Sequence, residues 1–275
     1  MAFFTTSDGK RLYFEDTGTG APVLCLAGLT RNSQDFSFLA PHIADLRMIT
    51  MDYRGRGRSD FDPDFMNYSV PRESLDVIEL LDHLGLDRVS LIGTSRGGLI
   101  AMALAASYPD RLSAVILNDV GPVIEPTGIA KIMDYVGQKP VAKTYDEAAQ
   151  ALLQVMRPQF PGVSLDRWRQ QAEFQYRQTA HGLSLRYDPA LRTALLNQAA
   201  EGAAVDLWAL FEALRKIPTG VIRGENSDLL GKDTLMEMHE RHPDLISAEV
   251  PDRGHVPFLD EPQSLDLIRN VLDTV

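Results

Sequence analysis

The stretch Arg88-Val-Ser-Leu-Ile-Gly-Thr-Ser-Arg-Gly-Gly-Leu-Ile100 changes its periodicity at one point. From Val89 to Ile92 it is apolar but for Ser90, the pattern of a strand buried on both faces. From Gly97 onward, Leu99, Ile100, Met102 and Ala103 fall at helical spacing, and the helix runs to about Tyr108. A buried strand that turns straight into a helix belongs to a parallel sheet covered by helices, so the rest of the chain must supply further strand–helix units. It does. Apolar runs at 22–27, 47–51, 88–93 and 113–119 alternate with helical patterns. One such helix carries Val77, Leu80, Leu81 and Leu84, with Gly85 as its stop. An Asp8-Gly9 hairpin precedes the series.

The rhythm breaks between Pro122 and Ala204, where no strand is evident and helical segments alternate with Pro and Gly. The clearest helix there is announced by a capping box, Thr144 and Glu147, followed by an apolar face of Ala149, Leu152, Leu153 and Met156. Strand-like "IPTGVIRG" and "LISAEV" then return, separated by a helix at about 231–241, and a last helix starts near Pro262. The fold class read from this is α/β, a mostly parallel central sheet with helices on both faces. Residues 1–121 and 205–275 form the core domain, and 122–204 a helical insertion.

Composition excludes several classes of function. With 27 Lys and Arg against 38 Asp and Glu, the formal net charge is −11, which repels phosphate backbones and anionic lipid. Nucleic acid and membrane partners are therefore not expected, and a small-molecule substrate is. No apolar run approaches the ~18 residues of a membrane span, and the amino terminus lacks a signal-peptide pattern. The one cysteine, Cys25, lies in an apolar strand and reads as inert core in a reducing compartment, so the expected location is cytoplasmic. No metal-binding or phosphate-loop motif is present, and neither a cofactor nor a metal is expected.

The bend itself is Gly93-x-Ser95-x-Gly97, with Gly98 following. Ser95 would be a helix cap or a nucleophile, and a strand–turn–helix context favours the nucleophile, lifted at the carboxyl edge of the sheet. A serine hydroxyl needs a base. Among six histidines, His42, His83, His239 and His242 fall on or beside amphipathic helices, where a solvated role is the default, and His181 lies in the insertion. His255, in "VPDRGHVPFLDEP", follows the last strand at the same edge as Ser95 and is the candidate base. A carboxylate must orient that imidazole. Asp228, after the strand "TGVIRG", is the first choice on position. Glu225, nearer the strand end, and Asp119, ending "VILNDVGP", remain alternatives.

With these residues in the order Ser, Asp, His, the chain resembles the α/β-hydrolase family over nearly its whole length. "MDYRGRGRSD" at 51–60 is similar to the family's D-x-R-G-x-G-x-S loop, and joins "GTSRGG" and "GHVPFLDEP" as a third motif. The resemblance implies that 122–204 is a lid and that the backbone N–H groups of Leu29 and Arg96 form an oxyanion hole. Where relatives commonly carry His-Gly before that hole, this chain has Ala27-Gly28. A serine nucleophile argues against the epoxide hydrolases and haloalkane dehalogenases of the family. The Arg96 side chain is expected to pair with a nearby acid such as Asp119.

The expected activity is hydrolysis of a small or medium, largely apolar ester or lactone through an acyl-enzyme. Two alternatives stand beside it. One is a carbon–carbon bond hydrolase of a ring-cleavage dienoate, against which Thr94 and Val256 replace the Asn and Trp usual in that group. The other is a triad-bearing small-molecule receptor. Residues 157–192 hold six arginines, no lysine and three acids, a segment able to attract an anionic substrate or simply to form a solvated face. The aromatics in that segment, Phe160, Trp168, Phe174, Tyr176 and Tyr187, read as an apolar pocket roof or simply as packing on the core domain.

Overall fold

In the computed structural model, residues 2–200 and 206–275 are described. A hairpin of β1 (Ala2–Thr5) and β2 (Arg11–Thr17) leads into β3 (Pro22–Leu26) and β4 (Arg47–Met51). Then come α1 (Val70–His83), β5 (Val89–Thr94), α2 (Arg96–Ser107) and β6 (Leu112–Asn118). The long connection that follows holds α3 (Pro126–Tyr135), α4 (Tyr145–Met156), α5 (Leu165–Gln175), β7 (Tyr176–Thr179), β8 (Gly182–Leu185) and α6 (Leu191–Ala200). The chain returns through α7 (Leu207–Glu212) to β9 (Thr219–Gly224), α8 (Lys232–Arg241), β10 (Ile246–Val250) and α9 (Pro262–Leu272).

Eight strands form one sheet in the order β1-β2-β4-β3-β5-β6-β9-β10. β2 runs antiparallel to both its neighbours and all other pairs are parallel. The central strands are largely apolar because alternate residues feed two cores. Leu24, Leu26, Leu91, Val115 and Leu117 face one side, with Val77, Leu80 and Leu81 of α1 and Ile100 and Leu104 of α2. Val23, Cys25, Ile92, Ala114 and Ile116 face the other, with Leu267, Ile268 and Val271 of α9. Each of the buried Val, Leu and Ile side chains stabilises the fold by roughly 1.5–3 kcal/mol relative to exposure. Cys25 is fully buried there.

Two expectations are corrected. The 122–204 segment contains a short antiparallel hairpin, β7–β8, where none was expected. Its eight residues alternate only at Leu183-Ser184-Leu185 and only Leu183 is buried, too short a pattern to read as a strand. His242 is buried, not solvated: its Nε2 lies 3.2 Å from the Leu214 carbonyl and its ring packs on Phe211. The expected end of the insertion at 204, and its junction with 205, lie outside the described residues. Among the described residues no helix is long and apolar enough to cross a membrane.

Candidate active site

Parallel pairing of β5 with β6 brings Thr94 level with Asn118, so the two strands end side by side. Ser95 and Asp119 are the next residues, and the Ser95 N–H donates to the Asn118 carbonyl at 3.0 Å. Both bend sharply, Ser95 at φ +50° and Asp119 at φ +56°, a strained region for residues with a side chain. The Ser95 bend is possible because a Cβ on Gly97 would stand 2.1 Å from the Leu26 carbonyl oxygen: only glycine lets α2 approach β3 so closely. Ser95 makes no side-chain cap bond to α2, which removes the helix-cap reading.

His255 lies on the loop after β10, with its Nε2 3.0 Å from Ser95 Oγ and its Nδ1 2.8 Å from Asp119 Oδ2. The carboxylate fixes the ring proton on Nδ1, leaving Nε2 to accept the serine O–H. The loop is held by Glu261, whose carboxylate accepts from the Phe258 and Leu259 N–H groups, the Ser264 hydroxyl and Arg253. Asn118 adds a bond from its Nδ2 to the Pro257 carbonyl at 3.1 Å.

The acid expected here was Asp228; the carboxylate that lies against His255 in the structure is that of Asp119. The loop after β9 does reach the site, but it contributes donors. The Gly224 N–H donates to Asp119 Oδ1 at 2.8 Å and the Ser227 hydroxyl to Oδ2 at 2.7 Å. Asp228 comes one residue later, past the turn, and forms an ion pair with Lys131 of α3. Glu225 is exposed and accepts from the Asp252 N–H. The signal for Asp119 was present in the sequence as register, since "LIGTS" and "VILND" break at the same level of neighbouring strands.

Gly28 lies beside the serine: a Cβ added there would be 3.9 Å from Ser95 Cβ. Among the described residues the N–H groups of Leu29 and Arg96 donate to no protein acceptor, as a pair of oxyanion donors requires. The D-x-R-G-x-G-x-S segment is the brace of this loop. Tyr53 Oη donates to the Ala27 carbonyl at 3.0 Å, Arg56 Nε to the Leu29 carbonyl at 3.0 Å, and Asp52 Oδ1 accepts from the Ser33 N–H at 2.7 Å. Gly57 is demanded by this arrangement, at φ +58° with Asp52 Oδ2 only 2.0 Å from where a Cβ would sit.

Arg96 pairs with Glu73 of α1, not with Asp119. Its Nε is 2.7 Å from Glu73 Oε2, and Arg56 Nη1 is 2.7 Å from Glu73 Oε1, an ion pair rather than an aligned hydrogen bond. Glu73 and Arg56 are wholly buried. Burial pulls the Arg56 guanidinium below its ordinary value while Glu73 opposes the shift. One carboxylate thus ties the support of Leu29 to the residue that supplies the second candidate donor. Glu73, Arg56 and Tyr53 carried no individual signal in the sequence.

The β6–β9 connection covers this region through an aromatic cluster. Phe160 and Trp168 pack on Phe258, and Phe174 packs on Phe38. The arginines of the segment are largely committed elsewhere. Arg167 pairs with Asp260, Arg169 with Asp146 and Glu173, Arg186 with the Tyr176 carbonyl, and Arg192 with the Val136 carbonyl, whereas Arg157 and Arg177 are exposed.

A model of the alpha/beta hydrolase fold family matches residues 21–262. The chain is an α/β hydrolase. This hydrolase is 36% identical over 251 residues to a 3-hydroxybutyrate-oligomer hydrolase of Cupriavidus necator, covering 88% of this chain and 85% of that one. It is 28% identical over 264 residues to a 2-(acetamidomethylene)succinate hydrolase of Mesorhizobium japonicum, covering 95% and 91%. The crystal structure of an alpha/beta hydrolase from Novosphingobium aromaticivorans superposes with a TM-score of 0.92 at 40% identity, covering 100% of this chain and 98% of that one. The hydrolase is an enzyme of a family whose similar members are named for hydrolysis.

Proposed function

We propose that the protein is a serine hydrolase of short aliphatic esters, with esters of hydroxy acids as the preferred class. The observation that carries this reading is the continuous line from Ser95 Oγ to His255 Nε2, and from His255 Nδ1 to Asp119. His255 takes the Ser95 proton as Oγ attacks the ester carbonyl, and the Leu29 and Arg96 N–H groups meet the developing oxyanion. The tetrahedral adduct collapses with return of that proton to the leaving alcohol. Water, deprotonated in turn by His255, then attacks the acyl-serine, and the proton goes back to Ser95 as the acid leaves.

Asp119 holds the imidazole tautomer throughout and stabilises its protonated form. The β6–β9 connection serves as a lid whose aromatic cluster keeps water from the acyl pocket. Preference for hydroxy-acid esters is supported by the similarity to the oligomer hydrolase over most of both chains. The test is labelling by a fluorophosphonate together with turnover of a 3-hydroxybutyrate dimer, each with and without Ser95→Ala. Labelling and turnover lost together in the variant are the expected result. An unmutated protein that neither labels nor turns over ester overturns the reading.

A further inference from the structure

Arg31 stands apart from the arginines of the β6–β9 connection. It sits on the loop after β3, three residues beyond Gly28, with its N–H donating to the Gly28 carbonyl at 3.1 Å. A Cβ on Gly28 would touch both the Arg31 Cγ, at 3.4 Å, and the Ser95 Cβ, at 3.9 Å, so the Arg31 stem starts beside the nucleophile. Its Nε donates to Asp35 Oδ2 at 2.7 Å and its Nη2 to Gln171 of α5. Those two bonds orient the planar guanidinium. Among the described residues Nη1 has no hydrogen-bond partner, and the side chain keeps about a quarter of its surface open.

Because Gln171 belongs to α5 and the Arg31 stem starts on the loop beside Ser95, the guanidinium lies between the sheet edge and the β6–β9 connection. That place beside Ser95 therefore offers a fixed, partly unpaired guanidinium. A planar carboxylate matches it, whereas a neutral ester gains little from it.

We infer that Arg31 forms a carboxylate-binding subsite beside the nucleophile, so that the preferred substrates are esters that also carry a free carboxylate. This rests on the hydrolase reading for its catalytic meaning and deepens it by fixing the substrate class. Asp35 already balances the Arg31 charge, so recognition here comes from aimed donors at short range and not from a broad positive field. The committed arginines of the β6–β9 connection are not needed for it.

The test is equilibrium binding to the Ser95→Ala protein by titration calorimetry, with a two-unit hydroxy-acid ester as its free acid and as its methyl ester. The free acid is expected to bind at least about 10-fold more tightly. Arg31→Gln should reduce acid affinity by roughly 10- to 100-fold and leave the methyl ester within about 2-fold. Arg31→Lys guards against a misfolded Gln variant, and should retain part of the acid-over-ester preference. Equal affinity for acid and ester, equal losses for both in the variants, or no binding of either overturns the inference. Because binding is read without turnover, an acid preference in a protein that hydrolyses nothing would sink the hydrolase reading and leave this subsite standing.

Discussion

Asp119 and Asp228 both follow a strand of the parallel sheet at its carboxyl edge, and their surroundings differ in every respect that matters to an imidazole. Asp119 is wholly buried, and its oxygens accept from a backbone N–H, a hydroxyl and His255. Asp228 is partly open to solvent and meets Lys131, a side chain 60% exposed. The first carboxylate is aimed by fixed donors, the second is met by one exposed side chain. A strand-end position brings an acid near the site; the bonds to its remaining lone pairs decide whether it can serve there.

The sharpest way to break this contrast is Asp119→Asn. The amide removes the acceptor that fixes the Nδ1 proton and leaves the protonated imidazole without its counter-charge. Loss of kcat on the order of 10⁴-fold is expected, with KM changed little, in steady-state turnover of a short ester. A loss of less than about 10-fold would take Asp119 out of the catalytic line.

The sequence made Ser95 and His255 legible because each has a local context that few other roles need: a glycine-flanked bend between strand and helix, and a histidine on a loop after the last strand. The central strands were legible too, since double-sided burial leaves continuous apolar runs. The acid was not singled out, because three carboxylates follow strands at one edge and their choice depends on φ at Asp119 and on the turn made by 224–227. Glu73 was invisible for a related reason. It reads as one more charged residue in the first turn of α1, and its burial between two arginines exists only once α1 packs against α2. The β7–β8 hairpin gave no signal because it buries almost nothing.

Glu73→Gln sharpens the comparison from the opposite side of Ser95, where support comes through the oxyanion loop and not through the acid. Removing this charge leaves Arg56 and Arg96 buried beside each other without compensation. A loss of about 3–5 kcal/mol in unfolding free energy is expected from urea denaturation. The folded fraction should also show a lower kcat, since Arg56 holds the Leu29 carbonyl and Glu73 holds the side chain of Arg96, next to Ser95. Unchanged stability would mean that the two guanidinium groups find solvent or another acceptor. An unchanged kcat in a destabilised protein would separate the brace from the oxyanion site.

Asp228→Asn should do the least. The Lys131 pair is a surface interaction, worth about 0–1 kcal/mol, and its loss leaves the Gly224 and Ser227 donors to Asp119 in place. Turnover within about 2-fold of the unmutated enzyme is therefore expected, with stability nearly unchanged. The measurement is informative because the two acids lie on loops that touch: the turn presenting Asp228 to Lys131 also presents Ser227 to Asp119. A loss of 100-fold or more would mean that the β9 loop rearranges and brings Asp228 to His255 during turnover, with Asp119 then acting on the loop and not on the ring. A small loss confines the chemistry to the carboxylate beside Ser95 and leaves Asp228 as a tie between α3 and the sheet.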